Sequence, residues 1–121
     1  MAKRVLIADD TVFFRVALNE ILTTGGYEVV GEAANGAEAA ELALKLKPDI
    51  VILDVVMPVK NGIEAAKEIT KLKLPVKIVM CTSLGYEPIV EEAIRSGASA
   101  YIIKPLNAEK VLNTLAGLGP F

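Results

Sequence analysis

The sequence predicts a doubly wound α/β domain: a five-stranded parallel sheet in the order 2-1-3-4-5, with helices on both faces. Three observations predict it. Short Val/Ile-rich runs alternate with segments of helical period, and the runs are apolar at consecutive rather than alternate positions, as in strands buried on both faces. Chemistry-bearing residues then stand at the carboxyl ends of four of the five runs, where open α/β sheets bind their ligands.

The first run, RVLIA (4–8), ends in Asp9-Asp10. Phe14, Leu18, Ile21 and Leu22 follow at helical spacing, and Gly25-Gly26 supplies the left-handed residue that ends a helix. YEVVGEA (27–33) is the second strand, and Ala40, Ala43 and Leu44 mark the next helix, stopped by Pro48. DIVILD (49–54) is the third strand, followed by Ile63, Ala66 and Ile69 on a helix that Pro75 ends. KIVMCT (77–82) leads to a helix with Val90, Ala93 and Ile94, closed at Gly97. AYIIK (100–104) is the last strand, and Asn107 caps a final helix bearing Val111, Leu112 and Leu115. Right-handed crossovers then place helices on each face.

A chain of 121 residues with 53% hydrophobic and 23% charged residues fits a single domain over 1–121. Its net charge of −2 and pI near 5.2 argue against a nucleic-acid or anionic-membrane surface. The lone Cys81 lies in an apolar run and is expected to behave as a small buried hydrophobe. No run reaches the ~18 apolar residues of a membrane span, and MAKRVLIADD lacks a signal-peptide core, so the cytoplasm is the expected compartment.

The strand ends carry the functional argument. The first ends in Asp9-Asp10, the third in Asp54, the fourth in Thr82-Ser83 and the fifth in Lys104-Pro105, whereas the second ends in GEAANG with no comparable group. For these to form one site, the second strand must lie at an edge, which is the 2-1-3-4-5 order. Singly, each group has a plainer role: Asp10 or Thr11 capping the first helix, Asp54 starting a turn, Thr82-Ser83 capping the fourth helix, Lys104 solvated before a proline. Together they bring three carboxylates onto one rim, where ionising all of them needs compensation. A hard cation such as Mg2+ supplies it, taking carboxylate oxygens and leaving positions for phosphate oxygens. With no His and a poorly placed Cys, zinc and copper are disfavoured. A carboxylate nucleophile would form an acyl phosphate, and Asp54, ending the central strand, is the best candidate. Asp9 and Asp10 are better disposed to hold metal, Lys104 to pair with phosphoryl oxygens, and the Thr82 hydroxyl to donate to them.

In this register, IADD (7–10), LDVVMP (53–58) with NG (61–62), CTS (81–83), GA (97–98) and AYIIKP (100–105) resemble the receiver domains of two-component response regulators, most of all single-domain chemotaxis regulators of the CheY type. The likeness covers essentially the whole chain. It implies Asp54 as phospho-acceptor, Asp10 and Asp54 as direct Mg2+ ligands with the Val56 backbone carbonyl, and Asp9 as a ligand through water. It implies Thr82 and Tyr101 as a switch pair and Lys104 as the phosphate-contacting lysine, joined to Pro105 by a cis bond, which only X-Pro commonly allows. The implied partners are a sensor histidine kinase that donates the phosphoryl group, and a protein target. The target would bind the face of the fourth helix, fifth strand and fifth helix once Thr82 moves and Tyr101 turns inward; Ile89, Ile94 and Arg95 are candidates for that face. A monomer is expected. Val56 and Leu84, apolar and two residues beyond Asp54 and Thr82, bear on the lifetime of the phosphorylated state. The ending LAGLGPF favours a single-domain regulator, although an excised or engineered receiver would share it.

Three other classes compete. A phosphorylation-independent docking module would have a broken acidic site, and here the set is whole. A flavodoxin-like electron carrier needs a phosphate-cradling turn after the first strand, where this chain has DDT. An aspartyl phosphatase or mutase needs a general acid two residues past its nucleophile, where Val56 stands. The chain is therefore expected to act on its own acyl phosphate rather than as an enzyme on a separate substrate.

Overall fold

The structure is a computed structural model and describes residues 2–121. Strands and helices alternate: β1 (Arg4–Ala8), α1 (Val12–Thr24), β2 (Glu28–Ala33), α2 (Gly36–Leu46), β3 (Ile50–Leu53), α3 (Gly62–Lys71), β4 (Lys77–Thr82), α4 (Glu87–Arg95), β5 (Ala98–Ile103) and α5 (Ala108–Ala116). The sheet order is β2-β1-β3-β4-β5 and every pairing is parallel.

The period-two alternation of strand side chains divides the core between two faces. Leu6, Ala8, Val51, Leu53 and Met80 meet α2, α3 and α4 through Ala43, Ile63, Ile69 and Ala93. Val5, Ile7, Ile50, Ile52 and Val79 meet α1 and α5 through Leu18, Leu22, Val111 and Leu115. The three inner strands are buried on both sides, so their side chains have no polar face. The edge strands β2 and β5 are partly exposed, and it is there that Glu28, Glu32 and Ser99 interrupt the apolar runs.

Helix ends follow local chemistry. Asn35, Asn61 and Asn107 cap α2, α3 and α5 by accepting from backbone N–H groups at 2.9, 2.9 and 3.0 Å, and Glu64 completes a capping box with Asn61. Gly26 and Gly97 take left-handed φ of 90° and 117° after α1 and α4. At the end of α2 the left-handed residue is Lys47 (φ 48°). Pro48 disfavours a helical conformation there, and the Arg4 guanidinium donates to the Leu46 and Lys47 carbonyls at 2.8 and 2.9 Å.

Two details depart from the sequence reading. Leu44 and Ile94 are exposed at 53% and 55%, off the stripes assigned to them, because two or three apolar residues do not fix the rotation of a short helix. And β5 begins at Ala98, where a shift of register between Ile78 and Val79 lets small residues pair with β4 ahead of the apolar run.

Candidate functional site

The ladder continues for one residue past the strands, and this aligns the site. The Asp9 N–H donates to Ala33, Asp54 to Ala8, and Lys104 to Thr82, at 3.0, 2.9 and 2.8 Å. Asp9, Asp54, Thr82 and Lys104 therefore share one rim. Below them, Gly62 lies so close to the Asp54 carbonyl that a Cβ would collide with it, and the Gly62 N–H donates to Val55 at 2.8 Å. The NG pair thus holds the turn after β3 against the strand end.

Carboxylate oxygens of Asp9, Asp10 and Asp54 lie within 4.8 Å of one another. Asp9 and Asp54 are buried and Asp10 is exposed. Lys104 crosses the rim: its Nζ donates to Asp9 Oδ2 at 2.8 Å and to Asp54 Oδ2 at 3.0 Å, with all three side chains nearly buried. Burial alone would lower the Lys104 pKa, but the hydrogen bonds and charges of Asp9 and Asp54 outweigh it and the pKa is raised. Lys104 is thus not the solvated lysine of the plainer reading. Asp9 Oδ1 accepts from the Thr11 N–H at 2.9 Å, and Asp54 Oδ1 from the Val56 N–H at 3.2 Å, so each carboxylate is oriented by its own turn. α1 begins without a side-chain cap at Thr11, which leaves Asp10 clear of that duty. One ammonium against three carboxylates leaves the rim negative, and its donors are all hard oxygens.

Thr82 is fully buried at the end of β4, and it does not cap α4, which starts after Tyr86 without a side-chain cap. The backbone of Leu84 joins it to Tyr101: the Leu84 N–H donates to Thr82 Oγ1 at 3.4 Å, and the Leu84 carbonyl accepts from the Tyr101 hydroxyl. The Tyr101 ring packs against the core, as Leu84 and Ile89 do, and its pKa is raised by burial and then by Asp54. Ile94 and Arg95 are exposed on α4, Ile89 half-buried. Val56 is exposed beside the rim, and the Lys104-Pro105 bond is cis.

Three neighbours of the site escaped the sequence reading. Arg15 donates to the Asp9 carbonyl at 2.6 Å and to Glu32 at 3.0 Å, placing a guanidinium behind the acidic rim. The Phe14 ring centroid lies 3.7 Å from Lys104 Nζ. Cys81 faces a cavity of about 10 Å³ shared with Asp54, Lys104 and Phe14, and burial pushes its thiol up to about 11. The spacing of Phe14 and Arg15 from Asp9-Asp10, one turn into the following helix, was the available signal.

The chain thus joins a parallel 2-1-3-4-5 sheet to a carboxylate cluster and a lysine on its carboxyl rim, and residues 5–116 match the family model described as the response regulator receiver domain. The chain belongs to that family. Its relatives include the chemotaxis protein CheY of Thermotoga maritima, 50% identical over 115 residues that cover 95% of this chain and 96% of that protein. The CheY of Bacillus subtilis is 43% identical with the same coverage of each. Among solved structures, that of the CheX-CheY-BeF3-Mg complex from Borrelia burgdorferi matches with a TM-score of 0.93 at 34% identity, covering 96% of this chain and 88% of that one. It is thus a CheY-type receiver of two-component signalling, and the docking-module reading is not favoured.

Proposed function

We propose that this receiver accepts a phosphoryl group on Asp54 from a phosphohistidine of a sensor histidine kinase, in a Mg2+-dependent reaction. The phosphorylated form would then present an altered face of α4, β5 and α5 to a protein target in chemotaxis. The observation that carries the reading is the bridge from Lys104 Nζ to both Asp9 and Asp54 within a cluster of oxygens 4.8 Å or less apart.

The donor set fits Mg2+: Asp10 and Asp54 would hold it directly, with the Val56 carbonyl, and Asp9 through water. Bound there, Mg2+ supplies charge neutralisation for the carboxylates and for an incoming phosphoryl group. The chain's own groups do the rest. Asp54 Oδ attacks phosphorus in line as the bond to the donor nitrogen breaks. Lys104 exchanges the Asp54 carboxylate for a phosphoryl oxygen, and the Thr82 hydroxyl donates to another. Once Thr82 Oγ1 turns toward phosphorus it no longer accepts from Leu84, and the Leu84 carbonyl is the partner of Tyr101. Because the Tyr101 ring is already packed on the core, the phosphoryl group acts by favouring one of two states rather than creating a new one. Hydrolysis of the acyl phosphate occurs on the chain itself, with Val56 and Leu84 governing the access of water. A cytoplasmic monomer without nucleic-acid contact completes the reading, supported by the mild negative charge; among the described residues no helix is long and apolar enough to cross a membrane.

Incubation with phosphoramidate and Mg2+ tests it by intact mass. One phosphoryl group is expected on the parent, none on Asp54→Asn and none in the presence of a chelator. Phosphorylation of Asp54→Asn at the parent rate would refute Asp54 as acceptor.

A further inference from the structure

We propose that Phe14 is a positioning residue for phosphoryl transfer, its ring serving as the seat that holds the Lys104 ammonium against Asp54. This rests on Asp54 being the acceptor.

The Lys104 Nζ lies 3.7 Å from the Phe14 centroid, inside the ~6 Å within which a ring face attracts a cation. The same nitrogen donates to Asp9 at 2.8 Å and to Asp54 at 3.0 Å, so carboxylates and ring together surround the ammonium. The adjoining cavity, which Asp9, Asp54 and Cys81 line together with Phe14 and Lys104, is about 10 Å³, no more than one water could fill. Arg15 does not compete for the ring, because its guanidinium is engaged by Glu32 and the Asp9 carbonyl. Phe13, itself exposed, packs edge-on to Phe14 with centroids 5.8 Å apart at 81°, which restrains the ring.

The function of the seat follows from the exchange that Lys104 must make. When Asp54 becomes an acyl phosphate, its carboxylate no longer pairs with the ammonium in the same way, and the ammonium must shift to a phosphoryl oxygen. A contact that does not depend on Asp54 keeps Nζ within reach during that shift. Leucine would fill much of the space but offers no negative ring face.

The test uses the full chain with phosphoramidate and saturating Mg2+. Phe14→Leu is expected to slow transfer about fivefold, and Phe14→Tyr to recover most of the rate. In a Lys104→Met background Phe14→Leu should add nothing further. The Lys104 side-chain methylene protons should be shifted upfield by the ring in the parent and in Phe14→Tyr, and return to ordinary values in Phe14→Leu. A parent-like rate in Phe14→Leu, a Tyr variant as slow as Leu, an undiminished effect without Lys104, or unshifted Lys104 protons in the parent would each overturn the proposal. Should Phe14→Leu fail to fold, the Lys104 shifts of the parent and the rate of Phe14→Tyr decide. A parent that takes no phosphoryl group overturns the acceptor reading instead, and the Lys104 shifts still judge the ring contact.

Discussion

The two halves of the rim are held in different ways. At the ends of β1 and β3, Asp9 and Asp54 are pinned by backbone ladder bonds, by N–H groups of their own turns, and by one ammonium shared at 2.8 and 3.0 Å. At the ends of β4 and β5 the backbone ladder also holds, with the Lys104 N–H donating to the Thr82 carbonyl at 2.8 Å, but the Thr82 side chain makes one long bond of 3.4 Å to Leu84, and the loop that follows enters α4 without a side-chain cap. The chemistry thus sits on the firm half and the response on the half with least holding it. Low local stability is what a switch element needs, since a phosphoryl group shifts an equilibrium only by its differential contacts.

The largest effect should come from cutting the firm half. Lys104→Met leaves two nearly buried carboxylates unpaired, and without Mg2+ it is expected to destabilise the fold by about 3 kcal/mol in urea titration. Transfer from phosphoramidate should fall by about a hundredfold or more as a charge-assisted contact to the phosphoryl group is lost. Mg2+ should restore much of the stability and little of the rate.

Cutting the soft half should separate formation of the acyl phosphate from its reading. Thr82→Ala is expected to accept the phosphoryl group with a loss of about tenfold, one hydrogen bond's worth, while the response at Tyr101 disappears. A Tyr101 response that survives in Thr82→Ala would merge the two halves into one.

Alkaline pH should loosen both halves. The Lys104, Cys81 and Tyr101 pKa values are all raised in the folded chain, so their stabilisation is present below the unfolded values and lost as pH rises through the folded ones. For Cys81 the window runs from 9.0 to about 11. Urea midpoints are expected to fall across that window, and Cys81→Ala should flatten the fall. An unchanged slope in that variant would show that the thiol does not contribute.

The smallest effect lies in the turn beyond Asp54. Val59 is β-branched, 79% exposed and at φ 67°, a conformation that suits glycine. Val59→Gly should stabilise the chain by about 1 kcal/mol or less, with the acceptor site unchanged. A loss of stability would mean that the left-handed turn is not strained.

Much of this was legible because it depends on strand ends. A buried parallel strand must end where polarity begins, so Asp9, Asp54, Thr82 and Lys104 announced themselves by position, and the missing group after β2 announced the edge. Asn107, Gly26 and Gly97 were legible because caps and left-handed residues are local. Leu44 and Ile94 were misjudged because a stripe of small or few residues leaves the helix rotation free. The Lys47 turn depends on Arg4, far away in the chain, and the Leu84 link between Thr82 and Tyr101 is made by backbone, which no side chain advertises. Phe14 looked like core because it stands on the apolar stripe of α1; it is in fact half-buried, and only the fold shows that Lys104 lies over its ring.

Backbone amide NMR of the parent and Asp54→Asn, with and without Mg2+ and beryllofluoride as phosphoryl mimic, tests the central claim most directly. The account predicts changes that begin at the Asp54 rim and spread through Thr82 and Leu84 to Tyr101 and α4 in the parent alone. A parent left unchanged by Mg2+ and the mimic, or an Asp54→Asn variant that responds as the parent does, would contradict it.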